Sequence, residues 1–229
     1  MSNSTQTKPV LFVLTSHGEK GAGGAKTGFY LGEVTHPLAV LEAAGIPVEF
    51  ASVQGGEPPV DGLELDDKTN AHYWADAKFH EAIRTTAKLA DIDAARYQAI
   101  FFAGGHGAMW DLPDDAGVLS KTRDIFEAGG VVAAVCHGPA ALVNVKLSNG
   151  AYLVAGRNVS AFTDSEEKAV GLDKTVPFLL ASTLVARGAI HHPAADWTSK
   201  VVVDGRLVTG QNPQSATAVG EAVRDLLLP

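Results

Sequence analysis

Apolar positions in this chain cluster in short, nearly unbroken runs, and that spacing sets the first expectation. Pro9–Thr15 (PVLFVLT), Tyr97–Ala103 (YQAIFFA) and Val131–Val135 (VVAAV) are rich in branched and aromatic residues. Such runs suit strands of a parallel sheet buried on both faces. Val48–Ser52 is a further short strand. Between these runs the pattern becomes helical, over about Pro37–Ala44, Ala77–Lys88 and Ala116–Ala128, with stops at Gly45 and Gly129-Gly130. Later segments predict two short strands within Tyr152–Phe162 and helices over Asp164–Val170, capped by Asp164 or Ser165, and Pro177–Arg187. Lys200–Asp204 and Arg206–Thr209 form a hairpin around Asp204-Gly205. Asn212-Pro213 then opens a last helix through Leu228, as cap and first-turn proline. Gly55–Asp76 has no clean period and reads as a long surface loop, a kind often functional or oligomer-forming. Strands alternating with helices predict an α/β fold, a mainly parallel sheet covered on both faces in one domain over 1–229.

The organising stretch is Val131–Leu142. Its strand stops abruptly at Cys136-His137-Gly138-Pro139, and Ala140–Leu142 read as the first turn of a helix. A strand ending at one nucleophile, with glycine just beyond and a helix at once, is a nucleophile elbow carrying Cys in place of Ser. The helix N-terminus would favour a thiolate, because cysteines so placed have pKa values lowered to roughly 3.5–7.5. The bland alternative is a structural cysteine at a strand end, since free Cys is among the most buried residue types.

Composition narrows the setting. A net charge of −8 argues against nucleic acid or an anionic membrane as main partner. One cysteine excludes an intramolecular disulfide and favours a reducing compartment. The polar start MSNSTQTK lacks the apolar core of a secretory signal, so the cytoplasm is expected. No apolar run approaches the roughly 18–20 residues that span a bilayer.

Sites in open parallel sheets form beyond the carboxyl ends of the strands. Loops leaving Thr15, Ala103 and Cys136 should therefore converge. Gly104-Gly105-His106-Gly107 could turn backbone N–H groups toward a developing oxyanion, beside the N–H of His137. His137, next to the sulfur, needs a carboxylate to fix its tautomer, and Asp164, Glu166 and Glu167 are the downstream supply. Glu33 lies in a stretch rich in glycine and aromatic residues with no obvious solvated face. Buried near the thiol, its pKa would rise; the alternative is a helix N-terminal charge ahead of Pro37. Eight histidines invite a metal, but neither a zincin helix nor a second cysteine is present, so no metal site is expected. A Walker loop is also missing, so no nucleotide is expected.

Phe102–Gly107, Ala134–Pro139 and Thr27–Pro37, with Ser160–Glu167 and Val208–Pro213, together resemble the ThiJ/PfpI superfamily. Within it the chain is most similar to the heat-shock chaperone-like, glutathione-independent glyoxalase III branch. The resemblance implies a flavodoxin-like three-layer sandwich, commonly a homodimer. It implies Cys136 as nucleophile with His137, Glu167 by the Phe-Thr-Asp-x-x-Glu spacing as the triad carboxylate, and Glu33 as the acid on the cysteine. Gly104, Gly105 and His106 become the oxyanion and substrate-binding residues. The expected reaction converts methylglyoxal or another small carbonyl substrate to D-lactate through a Cys136 hemithioacetal, with no cofactor. The alternatives are a stress chaperone binding unfolded clients, a protein deglycase, or another cysteine-dependent hydrolase or hydratase. Oxidation sensing at Cys136 is a further possibility.

Overall fold

The computed structural model describes residues 8–228. In chain order the elements are β1 (Val10–Leu14), β2 (Phe29–Tyr30), α1 (Gly32–Ala43), β3 (Val48–Ser52), β4 (Val60–Asp61), α2 (Lys68–Ala75), α3 (Ala77–Arg84) and β5 (Ala87–Lys88). They continue as β6 (Ala99–Phe102), α4 (Ala108–Asp111), α5 (Ala116–Glu127), β7 (Val131–Val135), β8 (Asn158–Val159), α6 (Asp164–Ala169) and α7 (Leu180–Ala186). The last are β9 (Ile190–His191), β10 (Val201–Asp204), β11 (Leu207–Gly210) and α8 (Ala216–Leu227).

A seven-stranded sheet in the order β10-β11-β7-β6-β1-β3-β5 forms the centre. All its pairings are parallel except the β10–β11 hairpin at one edge. Every residue of β1, β6 and β7 is buried, which is why these strands read as unbroken apolar runs. The chain moves one way across the sheet from β1 to β3 and the other way from β6 to β7. Right-handed crossovers therefore put α1 and α5 on opposite faces, giving the expected α/β sandwich. Helix α8 packs along α1. The reversal of direction falls between β1 and β6, and it opens a crevice at their carboxyl ends.

Several expectations need correction. Helix α1 begins at Gly32, five residues before Pro37, and carries that proline inside. Pro37 only forgoes the bond to the Glu33 carbonyl, so the helix tolerates it near its start. Residues 55–76 are not all loop. They hold β4, paired in parallel with β2, and α2, capped by Asp67 Oδ1 accepting from the Thr69 and Asn70 amides at 2.9 Å each. The segment after the elbow is a 3-10 stretch, Gly138–Leu142, rather than the start of a long α-helix. Only β8 forms as a strand within 152–162. Helix α6 is capped by Thr163 through a capping box with Glu166, not by Asp164 or Ser165. Asn212 stands at the N-cap position of a 3-10 turn, Pro213–Ser215, that precedes α8, with Pro213 in its first turn as expected, but its side chain makes no cap bond and is used elsewhere.

Candidate active site

Cys136 ends β7 in a left-handed backbone conformation, φ 60°. Only a sharp turn asks that of a residue other than glycine, and it rotates the sulfur out of the strand's pleat. Its backbone continues the sheet, donating to Gly210 at 3.0 Å, while its carbonyl accepts from Phe162 at 3.0 Å. Cys136 is buried, yet it lines a cavity of about 430 Å³ together with Gly105, His106 and His137.

Glu33, in the first turn of α1, is fully buried. One carboxylate oxygen accepts the Gly104 N–H at 2.7 Å. Its Oε1 has no nitrogen or oxygen partner, and the Cys136 thiol is the polar side chain that the carboxyl meets. Burial raises Glu33 to about 8, against smaller lowering from the thiol and the Gly104 N–H. Both sequence readings of Glu33 therefore hold, since it is a first-turn helix residue and a buried acid at the thiol.

The thiol departs from expectation. Burial and then the Glu33 carboxylate push Cys136 up, and the backbone N–H groups of Gly105 and His137 lower it less. A five-residue 3-10 stretch supplies little of the dipole that a long helix would have given. Apolar enclosure dominates instead.

His137 is buried, with Nδ1 3.4 Å from Cys136 Sγ and Nε2 2.8 Å from Glu167 Oε2. Burial, then the neighbouring His106, lowers it to about 4. The ring is therefore neutral at pH 7; its Nε2–H donates to Glu167 and Nδ1 is left as acceptor toward sulfur. Burial would raise Glu167, but hydrogen bonds from His106 and His137 outweigh it and hold the carboxylate at about 2.

The geometry separates the neighbouring glutamates. Glu167 meets His137, whereas Glu166 Oε1 accepts from Asn212 Nδ2 at 2.9 Å, Gln211 Nε2 at 3.2 Å and the Trp197 backbone N–H at 2.9 Å. These donors, with the Thr163 N–H, hold Glu166 below the usual carboxylate range despite its burial. Asp164 bonds Ser182 instead.

The glycine loop also sorts by geometry. The Gly104 N–H is taken by Glu33 and is not free for an oxyanion, which corrects that expectation. A Cβ on Gly104 would lie 2.6 Å from Glu33 Oε2 and 2.6 Å from the His137 nitrogen, so this close approach requires glycine. Gly105, at φ 93°, turns its N–H toward the sulfur, as does His137. The His106 ring lines the cavity, its Nε2 bonds Glu167 Oε1 at 2.9 Å, and the two imidazoles lie 4.1 Å apart between centroids.

His106, His137 and Glu167 also present ligand atoms within 4.8 Å of one another, close enough to hold a metal ion. Here the Nε2 atoms of both rings are bonded to the Glu167 carboxylate. Sequence reasoning missed Tyr30, Phe162 and Trp197, which also line the cavity. The aromatic pair Phe29-Tyr30 beside Gly28 was a readable signal for the first; nothing in the sequence marks Trp197. Among the described residues, no helix is long and apolar enough to cross a membrane.

Residues 25–225 match the DJ-1/PfpI family. The chain is 33% identical over 226 residues to Glyoxalase 3 of Candida albicans, covering 93% of this chain and 96% of that protein. It is 33% identical over 232 residues to a glutathione-independent glyoxalase of Saccharomyces cerevisiae, covering 96% and 97%. Among solved structures, Rapid Encystment Protein of Francisella tularensis superposes with TM-score 0.94 at 41% identity, covering 97% of this chain and 100% of that one.

Proposed function

Because this chain belongs to the DJ-1/PfpI family, we propose that it is a glutathione-independent glyoxalase that converts methylglyoxal to D-lactate on Cys136. The observation that carries the reading is one sulfur flanked, in one cavity, by a buried acid of raised pKa and by an imidazole fixed by a carboxylate.

The steps follow from those groups. Glu33 and Cys136 cannot both be negative in so dry a place, so the productive form of the pair holds one proton between them. Sulfur adds to the aldehyde carbon as its proton passes to Glu33, giving a hemithioacetal. The N–H groups of Gly105 and His137 face the oxygen that gains charge. A base removes the hydrogen from the former aldehyde carbon, and the enediolate takes a proton on the neighbouring carbon. Glu33 and His137 are the groups placed to carry these protons. The resulting thioester is cleaved by water, releasing the 2-hydroxy acid and restoring the thiol. Water is the only co-reactant, so atoms and electrons balance.

Production of lactate from methylglyoxal by the purified protein, with no thiol added, tests the reading. No lactate above the protein-free rate rejects it.

A further inference from the structure

Among the described residues, three that are not glycine have left-handed backbone: Glu64 (φ 40°), Cys136 (φ 60°) and Trp197 (φ 61°). All three line the cavity that holds the thiol. For Cys136 the elbow explains the strain. Trp197 stands third in the turn that the Thr198 N–H closes on the Ala195 carbonyl at 3.1 Å, a place glycine usually takes, and a bulky side chain there costs on the order of 1–3 kcal/mol unless its surroundings impose it.

The surroundings do impose it. The Trp197 N–H donates at 2.9 Å to Glu166 Oε1, a fully buried oxygen also bound by Asn212 and Gln211. Yet the residue so firmly held is 42% exposed, so it does not serve the core. Its ring stands edge-on to Phe162 with centroids 5.7 Å apart, and Phe162 lies against His137 at 4.3 Å. An aromatic wall therefore runs from the imidazole beside the sulfur to the cavity mouth. At about 430 Å³ the cavity falls in the roughly 300–1,000 Å³ range of pockets that enclose drug-sized ligands. A three-carbon oxoaldehyde leaves most of that room to water. Val170 and Leu172 add apolar lining.

We propose that Trp197 is a specificity-determining residue, selecting 2-oxoaldehydes that carry an aryl or other bulky apolar group on the ketone carbon. The proposal rests on the glyoxalase reading and names the substrate class of the same site. The aldehyde carbon reaches the sulfur while the substituent lies along Phe162 and Trp197. Phenylglyoxal plus water gives mandelate by the same steps as methylglyoxal plus water gives lactate.

Steady-state formation of the 2-hydroxy acid from phenylglyoxal and from methylglyoxal, by wild-type chain, Trp197→Ala and Trp197→Phe, tests this. A Cys136→Ala chain serves as the blank for direct reaction of the aldehydes. Wild type is expected to use phenylglyoxal at least as well as methylglyoxal. Trp197→Ala should lower kcat/KM for phenylglyoxal, mainly through KM, by about tenfold or more beyond whatever it costs methylglyoxal. Trp197→Phe should retain most of the preference, and it keeps the test alive should the alanine chain fold poorly. Equal loss on both substrates, or no loss on either, overturns the proposal. Wild-type turnover of methylglyoxal but not phenylglyoxal overturns it while leaving the glyoxalase reading standing. Turnover of neither overturns both.

Discussion

The Glu33 carboxyl and the Cys136 thiol form a buried pair in which burial raises both and the carboxylate further strengthens the thiol's hold on its proton, while the Gly104 N–H fixes one carboxylate oxygen at 2.7 Å. Ionisation of one therefore depends on the protonation of the other.

The first consequence is a pH profile. Glu33 gives up its proton at about 8, and only then does the pair hold the single proton that addition requires. The kcat/KM for methylglyoxal should rise with pH through about 8. In Glu33→Gln that limb should vanish and the rate should fall by about 10²–10⁴, the usual contribution of a general acid–base group.

The same substitution should stabilise the fold. An acid whose folded pKa is raised keeps its proton while the unfolded chain has lost it, so stability drains as pH rises from about 4.5 to about 8. Glutamine escapes this, accepting from Gly104 and donating to sulfur. Urea melts should show Glu33→Gln gaining on wild type by about 1.4 kcal/mol per pH unit across that window. Parallel curves would contradict a buried acid.

Cys136→Ala should abolish lactate formation and leave circular dichroism and the melting temperature close to wild type, because a buried sulfur of this size is replaced by a methyl. Residual turnover above the protein-free rate would remove the sulfur from the mechanism.

The adjacent glutamates should separate. Glu167→Gln should lower kcat by about 10²-fold or more, since His137 loses the acceptor that fixes its tautomer. The native chain should also lose stability as pH falls below about 4.5 toward 2, and Glu167→Gln should lose less, because a carboxylate with depressed folded pKa stabilises only while ionised. Glu166→Ala should instead cost about 3 kcal/mol of stability by stranding buried donors from Asn212, Gln211 and Trp197. Its activity on methylglyoxal, measured below the melting transition, should fall far less than that of Glu167→Gln.

What could be read beforehand had local causes. Val131–Cys136, the glycine loop after β6 and the burial of Glu33 all rest on short-range patterns, namely an apolar run, residues without side chains, and an acid in aromatic surroundings. Where distant partners decided the outcome, the reading faltered. Strand β4 exists only because Val60 and Asp61 pair with Phe29 and Tyr30. The start of α1 was misplaced because a proline at a first helical position is so common. Asp67, a good cap ahead of Lys-Thr-Asn, was a signal for α2 passed over inside a polar stretch. The thiol's environment depended on a helix that turned out to be a 3-10 stretch, and Trp197 is held by a carboxylate thirty-one positions away.

Thr163 fixes where α6 starts, its Oγ1 accepting from the Glu166 amide while its backbone N–H donates to the Glu166 carboxylate in return. Glu166 and the next side chain are thereby sent to different tasks, one to the wall around Trp197 and one to the ring beside the sulfur. Substrate choice and turnover are thus geared to the same turn of backbone. A shift of that turn by a single residue would exchange the two carboxylates and disable both tasks together, whereas changes at the tryptophan itself leave the gearing untouched.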